Sequence, residues 1–182
     1  MTQILQLTAL AKARVSFDVG LTSGYTSQGV LAAVVEASTT VPLPACTRMV
    51  AVEVVVPRGG RVEYGLLAAT YVTSGEGPTR VEVPFSDEAG PVWTESLAAR
   101  LNEVRIGLPR EYASAVLETL SSALPGRLSP GLLRISESAH GAAGSSRRLF
   151  GVLGRAVGEL LTLGEPLPDA VIIERLRALG LG

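Results

Sequence analysis

Apolar residues run almost unbroken from Arg48 to Val56, in a stretch rich in valine. Such a run reads as a well-buried strand, because a strand covered on both faces has no polar side to show. Arg58, Gly59 and Gly60 then make a turn, and Val62 to Thr73 reads as a second strand, so the pair forms a hairpin. After a turn at Gly75 to Pro78, Val81, Val83 and Phe85 alternate with Arg80 and Glu82. That period of two marks a half-buried strand. Ser86 to Thr94 reads as a loop, and Leu97 to Ile106 fits either a strand or a helix. Upstream, Arg14 to Val19 reads as a short strand. Ser27 to Ser38 fits a helix by its pairs Val30/Leu31 and Val34/Val35, with Thr26 or Ser27 as cap, and fits a strand by its valines.

The second half changes period. Pro109 opens a helix, where its missing N–H costs nothing. Tyr112, Ala115, Val116, Leu120 and Ala123 give that helix one apolar face, and Pro125-Gly126 ends it. Leu132 to Ser138 reads as a strand. A second helix starts at Ser145 or Ser146, both good caps, and runs to about Thr162. Its core face carries Leu149, Val152, Leu153, Ala156, Val157, Leu160 and Leu161. Gly151, Gly154 and Gly158 weaken it by up to about 1 kcal/mol each relative to alanine, so a close contact with another element is their expected role. Pro168 and Asp169 start a last short helix that ends at Gly180. The fold class expected is α+β, a mixed β-sheet with two or three helices packed on one face. Pro42 and Pro44 suggest a boundary. Residues 1–44 then form an N-terminal extension or a part of the same domain, 45–164 the main domain and 165–182 a C-terminal helix.

Composition narrows the chemistry. Of 182 residues 47% are hydrophobic, which supplies a core and excludes wholesale disorder, while aromatics at 4% leave that core to aliphatic side chains. The net charge of -1 means that any contact with nucleic acid must come from a local patch. Lys12 is the one lysine in an otherwise arginine-based set of cations. Cys46 and His140 are each the sole residue of their kind, so an intrachain disulfide, a thiolate cluster and a multi-histidine metal site are excluded. The N-terminus makes a poor signal peptide, and no stretch approaches the roughly 18 apolar residues of a membrane helix. The expectation is a cytoplasmic protein with no metal, no cofactor and no membrane partner.

Three segments share an order with a known domain. GGRVEYG at 59–65 has a glycine pair, then Arg61, Tyr64 and Gly65. GLPREYASAV at 107–116 has Pro109, Arg110, Glu111, Tyr112, Ala115 and Val116. AHGAAGSSRRLFGVLGRAV at 139–157 has His140, Ser145, Ser146 and Phe150 ahead of a helix of small residues. Together they resemble domain IV of translation elongation factor G, over about Thr47 to Thr162 and without its GTPase, since no GxxxxGK[ST] loop exists. The resemblance departs at Ala139, where the family has an aromatic, and in the loop Gly-Ala-Ala-Gly, which is one residue longer and lacks the family's acidic residues. It implies the left-handed βαβ fold shared with the second domain of a small-subunit ribosomal protein. It also implies two loops at one end of the domain that enter the ribosomal decoding site.

Carried over residue by residue, the tip comprises Arg58, Gly59, Gly60, Arg61, Tyr64, His140, Ser145, Ser146, Arg147 and Arg148, with ribosomal RNA as partner and no catalysis. Arginines pair bidentately with phosphates or stack on bases, and the helix start at Ser145/Ser146 turns N–H groups toward an anion. The bland alternative is that these are solvated loop charges. His140 as general base for Ser145 or Ser146 lacks an orienting third group. GAAGSS also resembles the phosphate loop of small-molecule kinases of the same fold, although a further domain is missing. High Val, Leu and Ala content with few charges also suits a homo-oligomeric scaffold.

Overall fold

A computed structural model describes residues 1–22, 26–38, 46–163 and 167–182. Its first strands are β1 (Thr2–Gln6), β2 (Lys12–Phe17) and β3 (Gly29–Val35). β2 is the expected N-terminal strand, begun two residues earlier. β1 shows no clean alternation and has no counterpart among the expected elements. In β3 the valines decide: the residues of each helix-spaced pair, Val30/Leu31 and Val34/Val35, fall on opposite faces of a strand. The boundary expected at Pro42 and Pro44 lies outside the described residues, and the strands on either side of it belong to one sheet.

The hairpin forms as expected. β4 (Thr47–Arg58) and β5 (Arg61–Thr73) pair antiparallel from Thr47↔Val72 to Arg58↔Arg61. Its two-residue loop places Gly59 at φ 54° and Gly60 at φ 83°. Two consecutive left-handed residues match the twist of the flanking strands, and glycine adopts that conformation without steric cost. β6 (Thr79–Phe85) follows, then β7 (Val104–Ile106), α1 (Arg110–Ala123), β8 (Gly131–Gly141), α2 (Arg147–Leu163) and α3 (Asp169–Ala178). The stretch 97–106 is mostly turns, with only its last three residues in a strand.

The sheet runs β1-β2-β4-β5-β8-β6-β3. β8 carries β5 on one edge. Its other edge is shared by β6, parallel along Gly131–Arg134, and by β7, antiparallel along Ala139–Gly141. The architecture is therefore α+β with a mixed sheet. Buried residues of all three helices, among them Val116, Leu153 and Ile172, join one cluster with Val52, Leu67, Val81 and Leu133. The helices thus cover one face. Gly154 allows the approach of α2 to α1, since a Cβ there would lie 3.4 Å from the Cα of Val116.

The second face has its own cluster. Val55, Tyr64, Leu66, Val104, Ile106 and Ala139 meet Trp93 and Ala98 from the segment between β6 and β7. In a regular strand Ile135 and Ala139 would share a face. They do not, because the register shifts between Ala68 and Ala69 and leaves Ser136 as an extra residue. Such a bulge swaps the faces of everything after it.

Candidate functional site

The C-terminal end of β4, the start of β5 and the C-terminal end of β8 meet at one edge of the molecule. The hairpin turn and the loop 142–146 lie side by side there. Ser145 Oγ donates to the carbonyl of Tyr64 at 2.6 Å and accepts from the N–H of Gly141 at 2.9 Å. Gly144 stands at φ 84°, and a Cβ there would run into the carbonyl of Val62. Asn102, from the segment before β7, holds the loop from the far side through the carbonyl of Ala143. Ser146 caps α2: its Oγ accepts from the N–H of Leu149 at 3.2 Å. The N–H groups of Ser145, Ser146, Arg147 and Arg148 meet no acceptor among the described residues.

Four arginines gather at this tip against two glutamates. Glu63 faces Arg58 at 3.1 Å and Arg148 at 3.2 Å, and Glu118 pairs with Arg147. Arg58 also donates to the carbonyl of Gly180 at 2.6 Å. Arg61 is exposed and has no ion-pair partner among the described residues. Exposed pairs of this kind contribute little to stability, so these side chains can exchange partners at small cost.

Two expected tip residues are placed elsewhere. Tyr64 is fully buried on the second face, because its position in β5 alternates away from the helices, and its hydroxyl donates to Glu53 at 3.0 Å. His140 lies in strand β8 and not in a loop, opposite Gly65 and Arg105. It is half-buried, with Nδ1 3.0 Å from the carbonyl of Gly107 and its ring edge-on to Tyr112, which stacks on Phe150 at 4.9 Å. Burial pushes its pKa down, a hydrogen bond to Gly107 opposes this, and Arg105 adds to it. Since a carbonyl only accepts, Nδ1–H donates to Gly107 and fixes the ring in place. Gly59 and Gly60 form the exposed turn itself, with open space beyond each Cα.

A buried charge network on the second face lies outside the expected set. Glu53, in the middle of β4, is fully buried. Its Oε1 accepts from the hydroxyl of Tyr64 and from the N–H of Leu97, at 3.0 and 2.7 Å. Its Oε2 lies 3.2 Å from Nε of Arg14 on β2. Arg14 in turn sits over the ring of Trp93 and donates to the carbonyl of Glu95. Burial pushes the Glu53 carboxyl up, opposed by Leu97, Arg14 and Tyr64, and burial with the Glu53 charge pushes the Tyr64 phenol up. Glu137, on the same face, accepts from the N–H groups of Leu21 and Thr22 at 2.8 Å each. These carboxylates pin two loops to the sheet. The one signal in sequence was a glutamate interrupting a run of valines.

A hollow of about 700 Å³ is lined by Trp93, Arg100, Asn102 and Glu103 and lies beside the tip rather than on it. Among the described residues no group of three or more His, Cys, Asp or Glu could hold a metal ion, and no helix is long and apolar enough to cross a membrane. Compared with protein families, curated proteins and solved structures, the chain has no significant match.

Proposed function

We propose that the protein is an elongation factor G domain IV-like module that binds structured RNA, as on a ribosome, through this tip and without catalysis. The observation that carries the reading is the side-by-side packing of the hairpin turn and the loop ahead of α2. It gathers Arg58, Arg61, Arg147 and Arg148 around a helix start with open N–H groups. A near-neutral chain thereby has one cationic end, the footprint that phosphate recognition requires. The left-handed βαβ arrangement belongs to the same proposal. The kinase-like phosphate loop is disfavoured. The N–H groups of Gly141, Ala142 and Ala143 are bonded to Ser145, Glu103 and Asn102, so they do not cradle a ligand.

The residues rank themselves. Arg61 has no ion-pair partner among the described residues and should contribute most per side chain, whereas Arg58 is held by Glu63 and Gly180 and should contribute least. Glu63→Gln should tighten binding by freeing Arg148. The test is co-sedimentation with ribosomes at rising salt. Binding should fall with salt, and Arg147→Ala with Arg148→Ala should lower the log–log salt slope by about two. Binding that ignores both salt and the double substitution refutes the reading.

A further inference from the structure

The last strand of the sheet, β3, has seven residues with no charge, no proline and no break in its register. Edges are usually blunted by lysine, proline, a bulge or a covering segment. No described strand pairs with the outer side of this one. Its neighbour reveals which groups point outward. Pro84 sits opposite Val30 and has no N–H, so those two are not a mutually bonded pair. The bonded pairs are then the alternate ones, Gly29↔Phe85, Leu31↔Val83, Ala33↔Val81 and Val35↔Thr79. The N–H and C=O groups of Val30, Ala32 and Val34 therefore face the open edge. Leu31 and Val35 pack with the helices, so the side chains of Val30 and Val34 lie on the other face, 43% and 64% exposed.

We propose that this edge joins a second copy of the chain, in a two-fold antiparallel pair centred on Ala32. Val30, Ala32 and Val34 read the same in both directions about that centre. Ala32 then faces Ala32 of the copy, and each Val30 faces a Val34. This meets the condition of a two-fold interface, that residue i meets j wherever j meets i. The outward donors and acceptors of both strands are satisfied, and each exposed valine gains a valine across the junction. The edge carries no charge that would select a different partner. The opposite edge, β1, has no such symmetry, and β1–β3 pairing would be head-to-tail and open-ended.

The geometry has a consequence for the tip. β8 runs toward the tip, β6 is parallel to it and β3 is antiparallel to β6, so Gly29 is at the tip end of the sheet. Antiparallel pairing of β3 with its copy points the two tips in opposite directions. The dimer stands whether or not the tip binds RNA, and the two tests read different quantities.

Sedimentation equilibrium over a wide range of concentration should give twice the 18.9 kDa of one chain. Val34→Lys, at a site already exposed in the single chain, should halve that mass while circular dichroism and Trp93 emission stay unchanged. Ile4→Lys, on the far edge, should leave the dimer intact. In a Cys46→Ser background, Ala32→Cys should cross-link the copies on oxidation, because bonded antiparallel pairs hold Cα atoms about 5.5 Å apart, within disulfide reach. Val30→Cys should not, since it faces Val34. A single-chain mass at every concentration overturns the proposal. So does a dimer that survives Val34→Lys, a ladder of larger species, or cross-linking through Val30→Cys and not Ala32→Cys.

Discussion

Arg14→Met tests the buried network most directly, because it removes a charge and keeps an apolar stem of similar length. Glu53 is fully buried, while Arg14 retains 17% exposure. Breaking a buried ion pair by deleting one partner costs about 3–5 kcal/mol, since the other charge is left uncompensated. Two features of this site lower that figure. Oε1 of Glu53 keeps both its donors, and Arg14 already has some access to water. One feature raises it: Oε2 accepts no hydrogen bond among the described residues, so Arg14 alone compensates it. The loss of the guanidinium over Trp93 adds about 0.5–1 kcal/mol. A loss of about 2–4 kcal/mol near pH 7 is therefore expected. The sign with pH follows from the raised pKa of Glu53. A raised folded pKa means that the folded state holds the proton more tightly. Its contribution is fully present below the unfolded value, near 4.3, and is lost as pH rises through the folded pKa. Arg14 lowers that folded pKa, so its removal widens the window. The variant should be closest to the native chain at about pH 4 and furthest from it at about pH 7. Urea titrations followed by Trp93 emission measure both, since Trp93 is the sole tryptophan and lies in the pinned segment. A loss under about 0.5 kcal/mol at neutral pH, or an equal loss at both pH values, would falsify the assignment of a buried charge pair.

His140 should show the opposite dependence. Its pKa is lowered, so its contribution is full above about pH 6.5 and is lost as pH falls through its folded value, and His140→Asn should flatten the acid limb of the stability curve. Gly154→Leu should destabilise by about 1–3 kcal/mol or more through overpacking against Val116, read as a lower thermal midpoint.

Much of the architecture was legible along the chain, for physical reasons that are local. The hairpin was marked by two valine-rich runs about a glycine pair, and those glycines need no tertiary contact to prefer a left-handed turn. Helices α1 and α2 were marked by Pro109, by the pair Ser145 and Ser146 and by apolar residues at helical spacing, and all of these act within a few turns of backbone. The α+β class followed from that order of periods. The tertiary structure decided what depends on partners distant in sequence. β3 is a strand because β6 offers it an edge, although its own residues also suited a helix. The bulge at Ser136 chose which face Glu137 and Ala139 occupy, and no periodicity encodes an extra residue in advance. Tyr64 belonged to the tip by position in the chain and to the core by position in the sheet. His140 passed from loop to strand because β8 runs on to pair with Gly65 of β5 and Arg105 of β7. Glu53 was visible as one acidic residue among valines. Arg14 and Leu97, which make its burial tolerable, lie 39 and 44 residues away along the chain, and only folding brings them to it.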